Sequence, residues 1–166
     1  MLMDRLTQTT LKNQRKGAIG YMIKTYVIDT NVLIQAPYAI ECFEENNLVL
    51  PLVVLEELDG LKKAEGEKGA NARAAVRKLE SYRQKGDLLQ GVKLPGGGIL
   101  RIEKNFVQVE LPQDIPDDKP DNRILKVCKG LAETEKEGQV ILVTKDIVLR
   151  LKAQILGIRA EDFERE

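Results

Sequence analysis

The chain has 166 residues, 43% hydrophobic and only 4% aromatic, and its 26 basic and 26 acidic residues balance to a formal net charge of zero. That size and composition suit a single α/β domain around an aliphatic core, and a neutral chain has no overall charge to draw it to nucleic acid. With no histidine and no tryptophan, His-based general bases, His-Cys zinc sites and the usual hydrolytic triads are excluded, which leaves acid and metal chemistry.

Residues 1–22 are polar and basic, with Arg5, Lys12, Arg15 and Lys16, and read as a loosely ordered extension before one domain spanning 23–166. They lack the apolar core of a signal peptide, and no apolar run reaches the roughly 20 residues that span a bilayer. Met22 is a candidate natural start, because Lys16-Gly17 can be encoded by a purine-rich stretch suited to ribosome binding. An intact mass beginning at Met1 in protein made from the native gene would sink that idea.

The ordered pattern opens at Lys24-Thr25-Tyr26-Val27-Ile28-Asp29-Thr30-Asn31, a β-branched and aromatic run that ends in an acid before a helix-compatible stretch. Glu41, Glu44 and Glu45 read as the wet face of an amphipathic helix. Leu48-Val49-Leu50 is strand-like, Pro51 starts a helix, and Glu57 is a helical carboxylate pointing back over a strand end, with Glu56 and Asp59 as competing neighbours. Residues 62–85 carry eight basic residues against three acidic ones. Within them Arg73 and Arg77 share a helix face and could hold phosphates, or Arg77 could pair with Glu80 on a solvated surface.

Gly91 to Ile102 reads as a hairpin with a glycine-rich turn, followed by a strand-like Phe106 to Leu111; three adjacent glycines without a following Gly-Lys-Ser/Thr are no phosphate cradle. Residues 103–121 hold six acids against two lysines, and Asp117 and Asp118 read as a solvated, proline-bounded loop more readily than as metal ligands. Pro120-Asp121 opens an amphipathic helix through Ile124, Leu125, Val127, Cys128, Leu131 and Ala132. Val140-Ile141-Leu142-Val143 is continuous enough for a central parallel strand and leads through Thr144 to Asp146. A helix ending in glycine and a last short strand follow, near Gly157 and Ala160. Cys42 and Cys128 fall in apolar helical patterns without metal-ligand spacing, which fits small core residues and a reducing, cytoplasmic setting.

Asp29, Glu57, Asp121 and Asp146 thus each lie at a strand end or a helix start. In open parallel sheets such positions converge beyond the carboxyl ends of the strands. Converging carboxylates suit Mg²⁺ or Mn²⁺, and two such ions about 3.5–4 Å apart could activate a water and stabilise the leaving oxygen of a phosphodiester. Singly, each aspartate could equally be an ordinary helix cap, and Glu57 a solvated helix residue. The joint pattern carries the reading.

Val27-Ile28-Asp29-Thr30-Asn31, Val53-Val54-Leu55-Glu56-Glu57-Leu58, Asp121-Asn122-Arg123-Ile124-Leu125 and Leu142-Val143-Thr144-Lys145-Asp146, in that order and spacing, resemble the PIN-domain nuclease family. Glu56 to Lys63, a helix start at Asn71-Ala72-Arg73, and Leu94 to Ile102 resemble more narrowly the PIN domain that precedes a PhoH-type ATPase. The resemblance implies a three-layer α/β/α fold with a mainly parallel sheet and a β-hairpin insertion around 91–111. It also implies a Mg²⁺- or Mn²⁺-dependent ribonuclease acting on single-stranded RNA. By position, Asp29, Glu57, Asp121 and Asp146 match the acidic metal site, with Glu57 preferred to Glu56 by the family's acid-then-leucine pattern. Asn31 and Thr144 match polar positions that hold carboxylates or metal-bound waters. Lys62, Arg73 and Arg77 are candidate RNA contacts, and self-association is common in the family. The chain stops soon after Ala160, so it reads either as a domain excised from a PhoH-type ATPase protein or as a stand-alone nuclease, and ATP dependence is not carried over. Two other classes stand beside the nuclease: a silent RNA-binding or assembly module on the same fold, and a phosphoryl-accepting signalling domain, which lacks the paired acids and late lysine it would need. A translation-arresting toxin is a variant of the first.

Overall fold

A computed structural model describes residues 22–135 and 139–164. Apart from Met22, the basic extension expected over 1–22 lies outside the described residues. The runs that read as central strands are strands. β1 (Thr25–Ile28), β2 (Asn47–Pro51) and β5 (Val140–Val143) are parallel neighbours, and Val27, Ile28, Leu48, Val49, Leu50, Ile141, Leu142 and Val143 are fully buried. Burial on both faces is why these strands are continuously apolar rather than alternating.

The six-stranded sheet has the order β3-β4-β2-β1-β5-β6, with β3 at Val92–Lys93, β4 at Ile99–Glu103 and β6 at Arg159–Glu161. Among the described residues only the β3–β4 pair is antiparallel. From β1 the chain builds outward on one side through β2, then returns to lay β5 on the other side of β1. The switch of direction falls between β1 and β5, where a crevice opens beyond the carboxyl ends.

Two groups of helices cover the sheet. α1 (Thr30–Gln35), a 3₁₀ turn (Pro37–Glu41) and α3 (Gly66–Arg83) pack together; α4 (Pro120–Thr134) packs on β5 and on α5 (Ile147–Ile155), and α2 (Leu52–Leu61) touches both groups. This is the expected three-layer α/β/α arrangement. No helix among the described residues is long and apolar enough to cross a membrane.

Four local expectations need correction. The hairpin is present at 92–103, but Phe106 to Leu111 is loop, because β4 is already flanked by β3 and β2 and offers no edge to a further strand. Lysine side chains fill part of that loop's hydrogen-bonding capacity: Lys126 Nζ donates to Val107 O at 3.2 Å and Lys129 Nζ to Glu110 O at 2.6 Å. Glu44 and Glu45 lie on a turn after the 3₁₀ segment, with Glu44 at φ 55°, while Glu41 bonds to Tyr82 and Lys78 of α3. α3 starts at Gly66 rather than Asn71, and Glu80 pairs with Arg83 rather than Arg77. Cys128 is buried and Cys42 partly so, and neither is in a disulfide.

Candidate functional site

Three of the four acids meet. One carboxylate oxygen from each of Asp29, Glu57 and Asp121 lies within 4.8 Å of the other two. Asp29 ends β1 and caps α1, Glu57 comes from the middle of α2, and Asp121 sits in the first turn of α4. A cleft of about 200 Å³ is lined by these acids together with Asp146, Thr30, Asn31, Lys68 and the apolar Ile34 and Leu61.

Asp29 is 4% exposed, and both its oxygens are engaged. Oδ1 accepts the Thr30 N–H at 2.6 Å and Oδ2 accepts the Thr144 hydroxyl at 2.7 Å. Burial pushes its carboxyl up to about 6 from 3.8; the two hydrogen bonds oppose the shift, and the negative charges of Asp121 and Asp146 add to it. Glu57 is also raised, first by burial and then by the charge of Asp29. The nearby Thr30 hydroxyl opposes that shift, yet Glu57 Oε1 is buried without a hydrogen bond of ordinary geometry, an arrangement that costs free energy unless a cation or a better-placed donor completes it.

Thr144 is the hub. Its hydroxyl donates to Asp29 and accepts from Asn31 Nδ2 at 3.3 Å and from the Asp146 N–H at 3.1 Å, which uses its one hydrogen and both lone pairs. Asn31 in turn accepts the Lys145 N–H on Oδ1 at 3.0 Å. The strand ends of β1 and β5 are therefore bound together through side chains.

Asp146 lines the cleft but stands outside the three-acid group. It caps α5, and both cap bonds, from Val148 N at 2.9 Å and Leu149 N at 3.4 Å, fall on Oδ1. Asp117 is held away by an ion pair with the buried Lys126 at 2.9 Å, as the loop reading of that segment expects.

The basic residues singled out in the sequence do not line the cleft. Lys62 pairs with Asp59 at 2.7 Å. Arg73 turns back to donate to the Lys62 carbonyl at 2.7 Å, which closes the α2–α3 turn. Arg77 is exposed on α3. The cleft's basic residue is Lys68, in the first turn of α3. Sequence reasoning counted it in the basic run without singling it out, because the helix start was placed at Asn71.

All-carboxylate oxygen donors, close spacing and an unpartnered Glu57 oxygen fit a hard divalent cation such as Mg²⁺ or Mn²⁺.

Residues 26–164 match the family model of the PIN domain. The chain is 50% identical over 147 residues to Protein PhoH2 of Bacillus subtilis, a match that covers 86% of this chain and 33% of that protein. With Protein PhoH2 of Mycolicibacterium smegmatis it shares 40% over 147 residues, covering 87% and 33%. The chain thus spans about one third of the length of these curated relatives. Among solved structures, the Trypanosoma brucei RRP44 PIN domain aligns with a TM-score of 0.53 at 14% identity, covering 84% of this chain and 77% of that one. A domain of a functionally unknown protein from Methanocaldococcus jannaschii aligns at 0.52 and 20%, covering 86% and 93%. At these identities the structural matches speak for the fold alone. Family model and close relatives together place the chain in the PIN-domain family of metal-dependent nucleases.

Proposed function

We propose that this chain is a ribonuclease that hydrolyses phosphodiester bonds of single-stranded RNA with Mg²⁺ or Mn²⁺ held by Asp29, Glu57, Asp121 and Asp146. The observation that carries the reading is the Asp29–Glu57–Asp121 cluster with its buried, unpartnered Glu57 oxygen. A bound divalent ion supplies activation of water and neutralisation of the charge that builds on the scissile phosphate. The chain's own groups do the rest. The Thr30 N–H and the Thr144 hydroxyl fix the Asp29 carboxylate. Asn31 ties the start of α1 to the Thr144–Lys145 turn, and Asp146 adds a fourth carboxylate to the cleft from the start of α5. Lys68 offers the phosphate a cation at the rim of an otherwise acidic cleft, with Lys62, Arg73 and Arg77 as more distant RNA contacts. Cys42 and Cys128 as thiols outside any disulfide suit a reducing cytoplasm. By analogy with the longer relatives, the chain would work beside a PhoH-type ATPase domain, and self-association is part of the same proposal.

The test is cleavage of end-labelled single-stranded RNA in Mn²⁺, Mg²⁺ or EDTA, comparing the wild-type chain with Asp29→Asn and Asp146→Asn. Metal-dependent cleavage lost in both variants supports the reading. RNA binding without cleavage in any metal favours a silent binding module instead.

A further inference from the structure

Asn122, next to Asp121, is fully buried and its side chain makes two hydrogen bonds, one to the preceding loop and one to a residue thirty positions on. Its Nδ2 donates to the Pro116 carbonyl at 2.6 Å, and its Oδ1 accepts from Lys152 Nζ at 2.9 Å. The orientation of the amide is fixed by its partners, since an ammonium only donates and a carbonyl only accepts. These bonds matter because α4 has no side-chain cap of its own: Lys119 stands at the cap position and accepts from the Asn122 and Arg123 N–H groups on its backbone carbonyl alone. The helix start that carries Asp121 is therefore tied by Asn122 to the preceding loop and to α5.

α5 is the helix whose first turn is capped by Asp146. Lys152 projects from the last turn of the same helix, so the Lys152–Asn122 bond joins the start of α4, which carries Asp121, to the body of the helix that Asp146 caps. The cluster needs such a brace. Asp29, Glu57 and Asp121 repel one another as anions, and Asp29 is fixed by two hydrogen bonds of its own, so without a strut the charge would be relieved by Asp121 moving outward.

We infer that Asn122 and Lys152 form a positioning strut that sets Asp121 against the other acids and so fixes the geometry of the cation site. The inference rests on the metal-centre reading above. Lys152 is not fully buried, so Lys152→Met removes the donor while keeping the apolar stem and is the variant least exposed to misfolding. Asn122→Ala removes both bonds, and Lys152→Arg restores a donor.

The experiment is Mn²⁺ binding to the whole chain, by calorimetry and by the electron paramagnetic resonance spectrum of the bound ion, with circular dichroism to confirm folding. Expected are an affinity about tenfold weaker in Lys152→Met, of the size seen when outer partners of metal ligands are removed, an altered bound-ion spectrum, a loss at least as large in Asn122→Ala where it folds, and recovery in Lys152→Arg. Wild-type affinity in a folded Lys152→Met chain overturns the strut alone, and so does a loss that Lys152→Arg does not restore. Absence of Mn²⁺ binding in the wild-type chain overturns the metal-centre reading, and the strut with it.

Discussion

At the scale of single residues, Asp29 sets the chemistry of the cleft. Its carboxyl is raised to about 6 by burial, so without metal the folded state holds the proton more tightly than the unfolded chain does. The sign follows: below the unfolded value of 3.8 the group costs the fold nothing, and as pH rises from 3.8 to about 6 the metal-free chain loses up to about 3 kcal/mol of stability. Thermal melts in EDTA between pH 4 and 7 should fall across that window, whereas saturating Mn²⁺ should restore the melting temperature at pH 7 and do little at pH 4, where protons compete for the ligands. Thr144 is the second sensitive residue. Thr144→Val strips three hydrogen bonds, one from the buried Asp29 and two from the half-buried Asn31 and Asp146, and should cost about 2–3 kcal/mol in urea unfolding while also weakening Mn²⁺. The acids themselves were legible from their places at strand ends and helix starts. Their grouping into three, with Asp146 apart, was not, because which carboxylate oxygen serves as a helix cap depends on side-chain torsions that spacing does not specify. Lys68 was missed for a related reason: its importance depends on where α3 begins.

At the scale of elements, the central strands were readable because double-sided burial writes itself as unbroken aliphatic sequence. Phe106 to Leu111 has equally strand-like composition and is loop, since pairing depends on a free sheet edge that no local pattern reveals. The glycine turn of the hairpin is tightly seated. A Cβ on Gly98 would stand 1.9 Å from the Asn46 carbonyl oxygen, so Gly98→Ala should destabilise by about 3 kcal/mol, at the upper end of overpacking costs. The contrast is α5, where Ile147, Val148, Leu151 and Ile155 are 51–73% exposed. Ile155→Ser there should change stability by less than about 0.5 kcal/mol, and the same urea titration compares the two.

At the scale of the whole molecule, a net charge of zero means that, under the proposed function, RNA would be drawn by local cations rather than by the protein's field. The cleft has Lys68 and four acids, so the salt dependence of RNA binding should be shallow. Each phosphate contact contributes about −0.7 to the slope of log affinity against log salt for single strands, and Lys68→Ala should make the slope about 0.7 less steep in a fluorescence titration across salt concentrations. A slope unchanged by that substitution would remove Lys68 from the phosphate path.

The bond from Thr144 to Asp29 joins residues 115 apart in sequence, across the β1–β5 pairing that marks the reversal of the sheet. Contacts of such separation close slowly, because the intervening chain must first give up its freedom. During synthesis from the N-terminus, Asp29, Glu57 and Asp121 all emerge before the threonine that orients the first of them. The acidic cleft is therefore complete only when β5 docks, and a nascent chain carries its carboxylates unoriented until the last central strand is in place.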